Sequence, residues 1–146
     1  MKLVLSSDHA GIELRRWLVG KLAECGHVCQ EVGAPDESSF DYPDASDELV
    51  KVLEAGSADY GILICGTGIG VSIRANRYPN MRCALCTTEY MASMAREHND
   101  ANVLCMGSRF CSINDAKRWS LLFLNTPFAG GRHQTRVAKI GSNLSY

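Results

Sequence analysis

The stretch Gly61-Ile62-Leu63-Ile64-Cys65-Gly66-Thr67-Gly68-Ile69-Gly70-Val71 constrains this chain more than any other. Gly61 to Cys65 is a short apolar run of the kind that forms a buried strand, and Val71 to Arg77 begins a helix. Between them the chain passes through three glycines. A strand that breaks through glycines into a helix presents a row of free backbone N–H groups, which favour an anion. Cys65 ends the strand at that cradle, where a thiolate is stabilised. The segment has the form of a reaction site, a base beside an anion cradle, although the same glycines could serve only a tight structural turn.

The strand-then-helix unit recurs along the chain. Lys2 to Ser6 reads as a strand, followed by Asp8-His9-Ala10-Gly11 and a helical pattern through Leu14, Leu18 and Leu22 that Gly26 ends. Val28 to Val32 is a second strand, Pro35 to Pro43 a polar loop and Asp44 to Glu54 a helix. After the glycine loop, Arg82 to Cys86 is a fourth strand, Thr88 to Glu97 a helix and Val103 to Met106 a fifth strand. Asn114 to Leu124 and Arg132 to Ile140 complete the helices. Short apolar strands alternating with helices predict a parallel sheet covered on both faces, hence α/β class: a three-layer, Rossmann-like α/β/α sandwich on a five-stranded sheet. The 146 residues predict one domain, 1–146, without repeats or a dividing linker, able to bury about two-thirds of its unfolded surface. Ligands of such sheets collect at the carboxyl ends of the strands. That rule selects Asp8-His9, Cys65 to Gly70, and Arg109.

Charge and cysteine usage narrow the function classes. The formal net charge is −1, which gives no electrostatic case for nucleic acid or an anionic membrane as partner. No apolar stretch approaches the roughly 18 residues of a membrane span, and the N-terminal residues lack a signal-peptide pattern. Seven cysteines is an odd number for a disulfide framework, and several lie in apolar runs, so a reducing, cytoplasmic setting is expected.

The other motifs each have a blander reading beside the functional one. A dinucleotide fingerprint needs its last glycine or alanine where Val71 stands and normally follows the first strand; a P-loop needs a Gly-Lys-Ser/Thr that does not follow. Cys83 and Cys86 stand three apart on a strand and point to opposite faces, so they do not share a metal or form a redox pair. The four histidines lack zinc spacing. Burial in the core is the expected state of Cys25, Cys29, Cys83, Cys86 and Cys105, with Cys111 undecided. Arg132 and Arg136, at i and i+4 after Gly130-Gly131, share one helical face and suit either a phosphate clamp or a solvated face. His98, expected in a loop between helix and strand, is placed either for acid–base work or for simple helix-end electrostatics.

Taken together, Ser7-Asp8-His9-Ala10-Gly11, Asp41-Tyr42-Pro43, Cys65-Gly66-Thr67-Gly68-Ile69-Gly70, Arg74-Ala75-Asn76, His98-Asn99-Asp100-Ala101-Asn102-Val103 and Gly130-Gly131-Arg132-His133 closely resemble the type B ribose-5-phosphate isomerases. The subunits of galactose-6-phosphate isomerase belong to the same family. The resemblance runs from about Leu3 to Gly141, with the motifs in the family's order. It implies interconversion of ribose 5-phosphate and ribulose 5-phosphate in the non-oxidative pentose phosphate pathway, without metal or organic cofactor.

By position, the resemblance makes Cys65 the base that moves a proton between C2 and C1 through a cis-enediolate. Thr67 and His98 correspond to the groups that open the furanose, Asp8 to the holder of a sugar hydroxyl and Asn99 to a binder of the intermediate. His9, Arg109, Arg132 and Arg136 resemble the phosphate-binding set, with Tyr42 and His133 nearby. Gly66, Gly68, Ile69 and Gly70 would line the substrate. One branch of the family uses a glutamate at the position of Val71 instead of the cysteine; this chain follows the cysteine branch. The family's dimers or tetramers, with sites at subunit boundaries, imply that His98, Asn99 and Arg109 come from the neighbour of the subunit supplying Cys65. The rival readings are a hexose-6-phosphate isomerase of the galactose or allose type and a non-catalytic sugar-phosphate sensor. A thiol redox protein would need a suitably placed cysteine pair, which the sequence does not offer.

Overall fold

The computed structural model describes residues 1–141; positions 142–146, the end of the expected 1–146 domain, lie outside the described residues. Five strands form one parallel sheet: β1 (Lys2–Ser7), β2 (Val28–Gly33), β3 (Tyr60–Cys65), β4 (Cys83–Leu85) and β5 (Val103–Gly107), in the order β2-β1-β3-β5-β4. Six α-helices accompany them: α1 (Ile12–Glu24), α2 (Tyr42–Glu54), α3 (Ile69–Ala75), α4 (Glu89–Asn99), α5 (Ile113–Asn125) and α6 (Arg132–Ile140). A 3-10 turn, His9–Gly11, links β1 to α1.

Alternation along the central strands divides the core into two layers. Leu3, Leu5, Ile62, Ile64, Leu104 and Met106 face one way, against Leu14, Leu18 and Leu22 of α1, Ala92 and Ala95 of α4, and Trp119 and Phe123 of α5. Val4, Leu63, Cys65, Val103 and Cys105 face the other way, against Leu49 and Val50 of α2 and Val71 and Ala75 of α3. Because both faces are covered, the strands read as near-continuous apolar runs. Each fully buried side chain the size of Leu63 or Phe123 contributes about 1.5–3 kcal/mol relative to exposure.

The expected elements all form, with shifts at their ends that have local causes. Tyr42 and Pro43, expected in a loop, open α2; Pro43 sits in the first turn, where its missing N–H costs nothing. The fourth strand is shorter than Arg82–Cys86 because it is an edge strand paired only to β5. The side chain of Asn76 replaces the missing partner, accepting from the Cys83 N–H and donating to the Cys83 carbonyl, both at 2.8 Å. Helix α4 is capped by Thr88, whose hydroxyl accepts the Met91 N–H at 3.2 Å. It runs through His98 and Asn99, which therefore occupy a helical turn and not a loop.

Strand order fixes where a ligand can sit. From β1 the chain first adds β2 on one side, then returns to add β3 on the other. The loops leaving β1 and β3 diverge at this switch point and open a crevice at the carboxyl end of the sheet.

Candidate active site

The crevice is lined by residues from three loops that are bonded to one another. Asp8 follows β1; it is buried, and its carboxylate accepts the Ala10 N–H at 2.9 Å while its own N–H donates to the Ile64 carbonyl. His9 comes next, its Nδ1 lying 3.2 Å from both the N–H and the carbonyl of Phe40. From β3 comes Cys65, only 5% exposed, whose Sγ accepts the Gly68 N–H at 3.1 Å. The segment after β5 continues the ladder: the Ser108 N–H donates to the Cys65 carbonyl at 2.9 Å and the Arg109 N–H to the Gly66 carbonyl at 3.2 Å. The Ser108 hydroxyl donates to the Ala10 carbonyl at 2.8 Å, closing the ring of loops.

The glycines allow this close approach. Gly68 is in the left-handed region with φ 78° at the start of α3, a conformation that costs other L-residues energy. A Cβ on Gly66 would lie 2.9 Å from an Arg109 guanidinium nitrogen, so Arg109 rests directly over the loop. The ring of Tyr42 lies against Gly70 in the same way. Thr67 turns its hydroxyl to the Ile69 N–H at 3.2 Å. Asp8, His9, Tyr42, Cys65, Gly66, Thr67, Gly68, Ile69, Gly70 and Arg109 thus gather at one end of the sheet. They supply a thiol, a carboxylate, an imidazole, a guanidinium and a set of N–H donors at the carboxyl ends of β1, β3 and β5.

The remaining predicted residues lie at the opposite end. His98 and Asn99 finish α4, and the next strand, β5, starts beside the amino end of β3 and ends level with Cys65. The four steps of β5 from Val103 to Gly107, at about 3.3 Å each, put roughly 13 Å between the two ends. His133 of α6 stacks on His98, ring centroids 4.2 Å apart and planes 6° from parallel. Burial, then the charges of His98, Arg132 and Arg136, hold the His133 imidazole below its usual value, with Glu97 opposing. Arg132 and Arg136 share this helix, and Asn99 lines a groove with Asn76, Arg82, Ala84 and Ile140.

Two expectations change here. Arg109 does not travel with His98 and Asn99; the ladder beyond β5 brings it onto Gly66 of its own chain. The phosphate-binding set is also split within the chain, His9 and Arg109 at one end and Arg132 and Arg136 at the other. Sequence reasoning missed Ser108, which joins two loops, because nothing in its surroundings in sequence marks it. It also left Arg74 without a role. Its guanidinium grips Asp47 of α2 at 2.7 and 2.8 Å, and Tyr78 donates to the same carboxylate. That clamp fixes the helix whose first turn is the cradle.

The cysteines sort differently from expectation as well. Cys83, Cys86 and Cys105 are buried, with Cys83 and Cys86 in opposite core layers. Cys25 is exposed because it follows the last turn of α1, and Cys29 is half-buried on the outer strand β2. Cys111 is half-buried, its thiol directed to the Gly107 carbonyl. Two thiols do come together, Cys83 and Cys105, Sγ to Sγ 2.7 Å. Burial first, then hydrogen bonding to Cys83, pushes the Cys105 thiol well up, which makes it an inert core group. All seven cysteines are free.

Fold and crevice define the class: a Rossmann-like α/β protein with a small-molecule site at the carboxyl end of a parallel sheet. Within it, the chain belongs to the Ribose/Galactose Isomerase family, whose sequence model matches residues 3–140. It is 38% identical over 139 residues to ribose-5-phosphate isomerase B of Escherichia coli, covering 95% of this chain and 93% of the relative. The solved structure of the Clostridium thermocellum ribose-5-phosphate isomerase B superimposes with a TM-score of 0.94 at 44% identity, over 97% of this chain and 95% of that one. The Thermotoga maritima ribose 5-phosphate isomerase gives 0.93 at 43%, over 96% and 97%. No helix among the described residues is long and apolar enough to cross a membrane.

Proposed function

We propose that this chain is a ribose-5-phosphate isomerase that interconverts ribose 5-phosphate and ribulose 5-phosphate through a cis-enediolate. The observation that carries the reading is the Cys65 thiol, hydrogen-bonded to the glycine loop on which Arg109 rests, with the Asp8 N–H bonded to the neighbouring Ile64 carbonyl. In the aldose-to-ketose direction Cys65 takes the proton from C2 and returns it to C1, while the O2 hydroxyl proton passes to O1. Charge that develops on oxygen meets the N–H groups of Gly66 to Gly70; one such donor is worth about 2.7–4 kcal/mol to the transition state of comparable reactions. Asp8 holds a sugar hydroxyl, and His9 and Arg109 grip the phosphate through charge-assisted bonds. Thr67 and His98 open the furanose, one taking the proton of the anomeric hydroxyl as the bond from C1 to the ring oxygen breaks, the other giving a proton to that oxygen. Seven free cysteines suit a reducing cytoplasmic setting.

One chain does not bring His98, Asn99, Arg132 and Arg136 to its own Cys65, so the complete site is shared between copies. In a homodimer, or a tetramer built from such dimers, the amino-end cluster of one subunit faces the crevice of its partner. Turnover of ribose 5-phosphate in the presence of a chelator, collapsing in Cys65→Ala, tests the enzyme reading; an active Cys65→Ala would remove the thiol as base. Mixing Cys65→Ala with His98→Ala subunits tests the sharing. In a two-fold dimer, one site of each hybrid is intact, so an equal mixture regains about a quarter of wild-type activity. A mixture that stays inactive after verified subunit exchange sinks the shared site.

A further inference from the structure

The motif His98-Asn99-Asp100-Ala101-Asn102 resolves into two parts. His98 and Asn99 end α4, whereas Asp100 and Asn102 point back into the protein and hold the turn that follows. Asp100 has φ 46°, and it is the only non-glycine residue among those described with positive φ. A left-handed aspartate is tolerated but strained, and such strain persists only where the surroundings over-determine it.

They do so here. One carboxylate oxygen of Asp100 accepts from Arg96 at 2.8 Å, the other from Arg82 at 2.9 Å, and its carbonyl accepts from Arg82 Nε at 2.8 Å. Both arginines are themselves fixed. Arg96 is buried; it donates to the Ala101 carbonyl at 2.6 Å and the Tyr60 hydroxyl at 3.1 Å, and lies over the Tyr60 ring. Arg82 gives its N–H to the Asn102 side chain, which donates onward to the Asn80 carbonyl. The end of α4 is therefore tied to β3 through Tyr60 and to the approach to β4 through Arg82.

We propose that Asp100 is the positioning residue of His98. Its carboxylate, held between Arg82 and Arg96, fixes the turn that ends α4 and so sets where the His98 imidazole is presented. The inference rests on the ring-opening role proposed for His98, and it assigns Asp100 no contact with substrate.

The test is a double-mutant cycle. Asp100→Gly removes the carboxylate but adopts the left-handed turn freely, and Asp100→Asn keeps the shape and loses the charge. Asp100→Gly lowers kcat on ribose 5-phosphate by about 10- to 100-fold, as misplacement of a reacting group by about 1 Å does, with KM changed by less than about 3-fold. Asp100→Asn falls between it and wild type. In a His98→Ala background, assayed where rate is proportional to enzyme, Asp100→Gly costs less than about 3-fold more, because residues acting as a unit are not additive. The second substrate is 4-deoxyribose 5-phosphate, which lacks the hydroxyl that closes the furanose; Asp100→Gly turns it over nearly as wild type does. Additive losses in the cycle, or equal losses on both substrates, overturn the positioning role. If His98→Ala itself loses equally on both substrates, the ring-opening role falls instead. Should Asp100→Gly fail to give the wild-type circular dichroism spectrum, the same cycle is run with Asp100→Asn.

Discussion

Gly68→Ala challenges the anion cradle at its least forgiving point. The residue sits at φ 78°, so alanine there carries about 1–2 kcal/mol of left-handed strain. Its Cβ would also lie 2.5 Å from Leu85 Cδ1 and 2.9 Å from the Met106 carbonyl carbon. The Leu85 side chain can rotate, but Met106 is backbone of the central strand β5 and cannot retreat. The loop must move, at a further cost of about 1–3 kcal/mol. Gly130 provides the control: its φ is 62°, and a Cβ there meets nothing within 4 Å, so Gly130→Ala carries only the first contribution. Urea unfolding followed by tryptophan fluorescence, extrapolated linearly to water, reports a difference of about 1–3 kcal/mol between the two variants. Loop movement also breaks the 3.1 Å bond from the Gly68 N–H to Cys65 Sγ, so ribose 5-phosphate turnover drops by at least about 10-fold. Equal stabilities for the two variants, with Gly68→Ala fully active, would refute both the steric argument and the role of this donor.

Three other outcomes follow from the same geometry. Gly20, exposed within α1 and with open space around a Cβ, gives a Gly20→Ala variant about 0.5–1 kcal/mol more stable, read as a raised Tm; a lower Tm contradicts it. Asn76→Ala leaves the Cys83 N–H and carbonyl without their partner and costs about 1–3 kcal/mol in urea melts; an unchanged midpoint means water substitutes fully. Native His133 titrates below its ordinary value, chiefly through burial, so the unfolded chain takes that proton first as pH falls. The stability linked to it is complete above about pH 6.5 and is lost as pH drops through the native value. His133→Asn should flatten the urea midpoint between about pH 7.5 and 5, and an unchanged slope rules out this histidine as its source.

Much of this was legible in the chain because it is local. Short continuous apolar runs and helical spacing fixed the existence and order of the elements, and the glycines after Cys65 marked the turn that carries the cradle. The carboxyl-end rule then placed Asp8, Cys65 and Arg109 on one side of the sheet. Element ends were less legible: Tyr42 joins a helix because Pro43 suits its first turn, and α4 extends to Asn99 because the two arginines hold Asp100 beyond it. Cys25 and Cys29 misled because an apolar residue at a helix end or on an outer strand has too few neighbours to be buried.

The sequence by itself determined the βα units, the parallel class and the thiol at the glycine loop, since hydrophobic period and turn chemistry act over a few residues. Only the tertiary structure decided that β5 inserts between β3 and β4. That single insertion lays Arg109 on Gly66 of the same chain and sets Cys105 against Cys83. It also leaves His98, stacked on His133, a strand's length from Cys65. Such pairings join residues far apart in the chain, and they are settled by how whole faces cover one another, which no local pattern records.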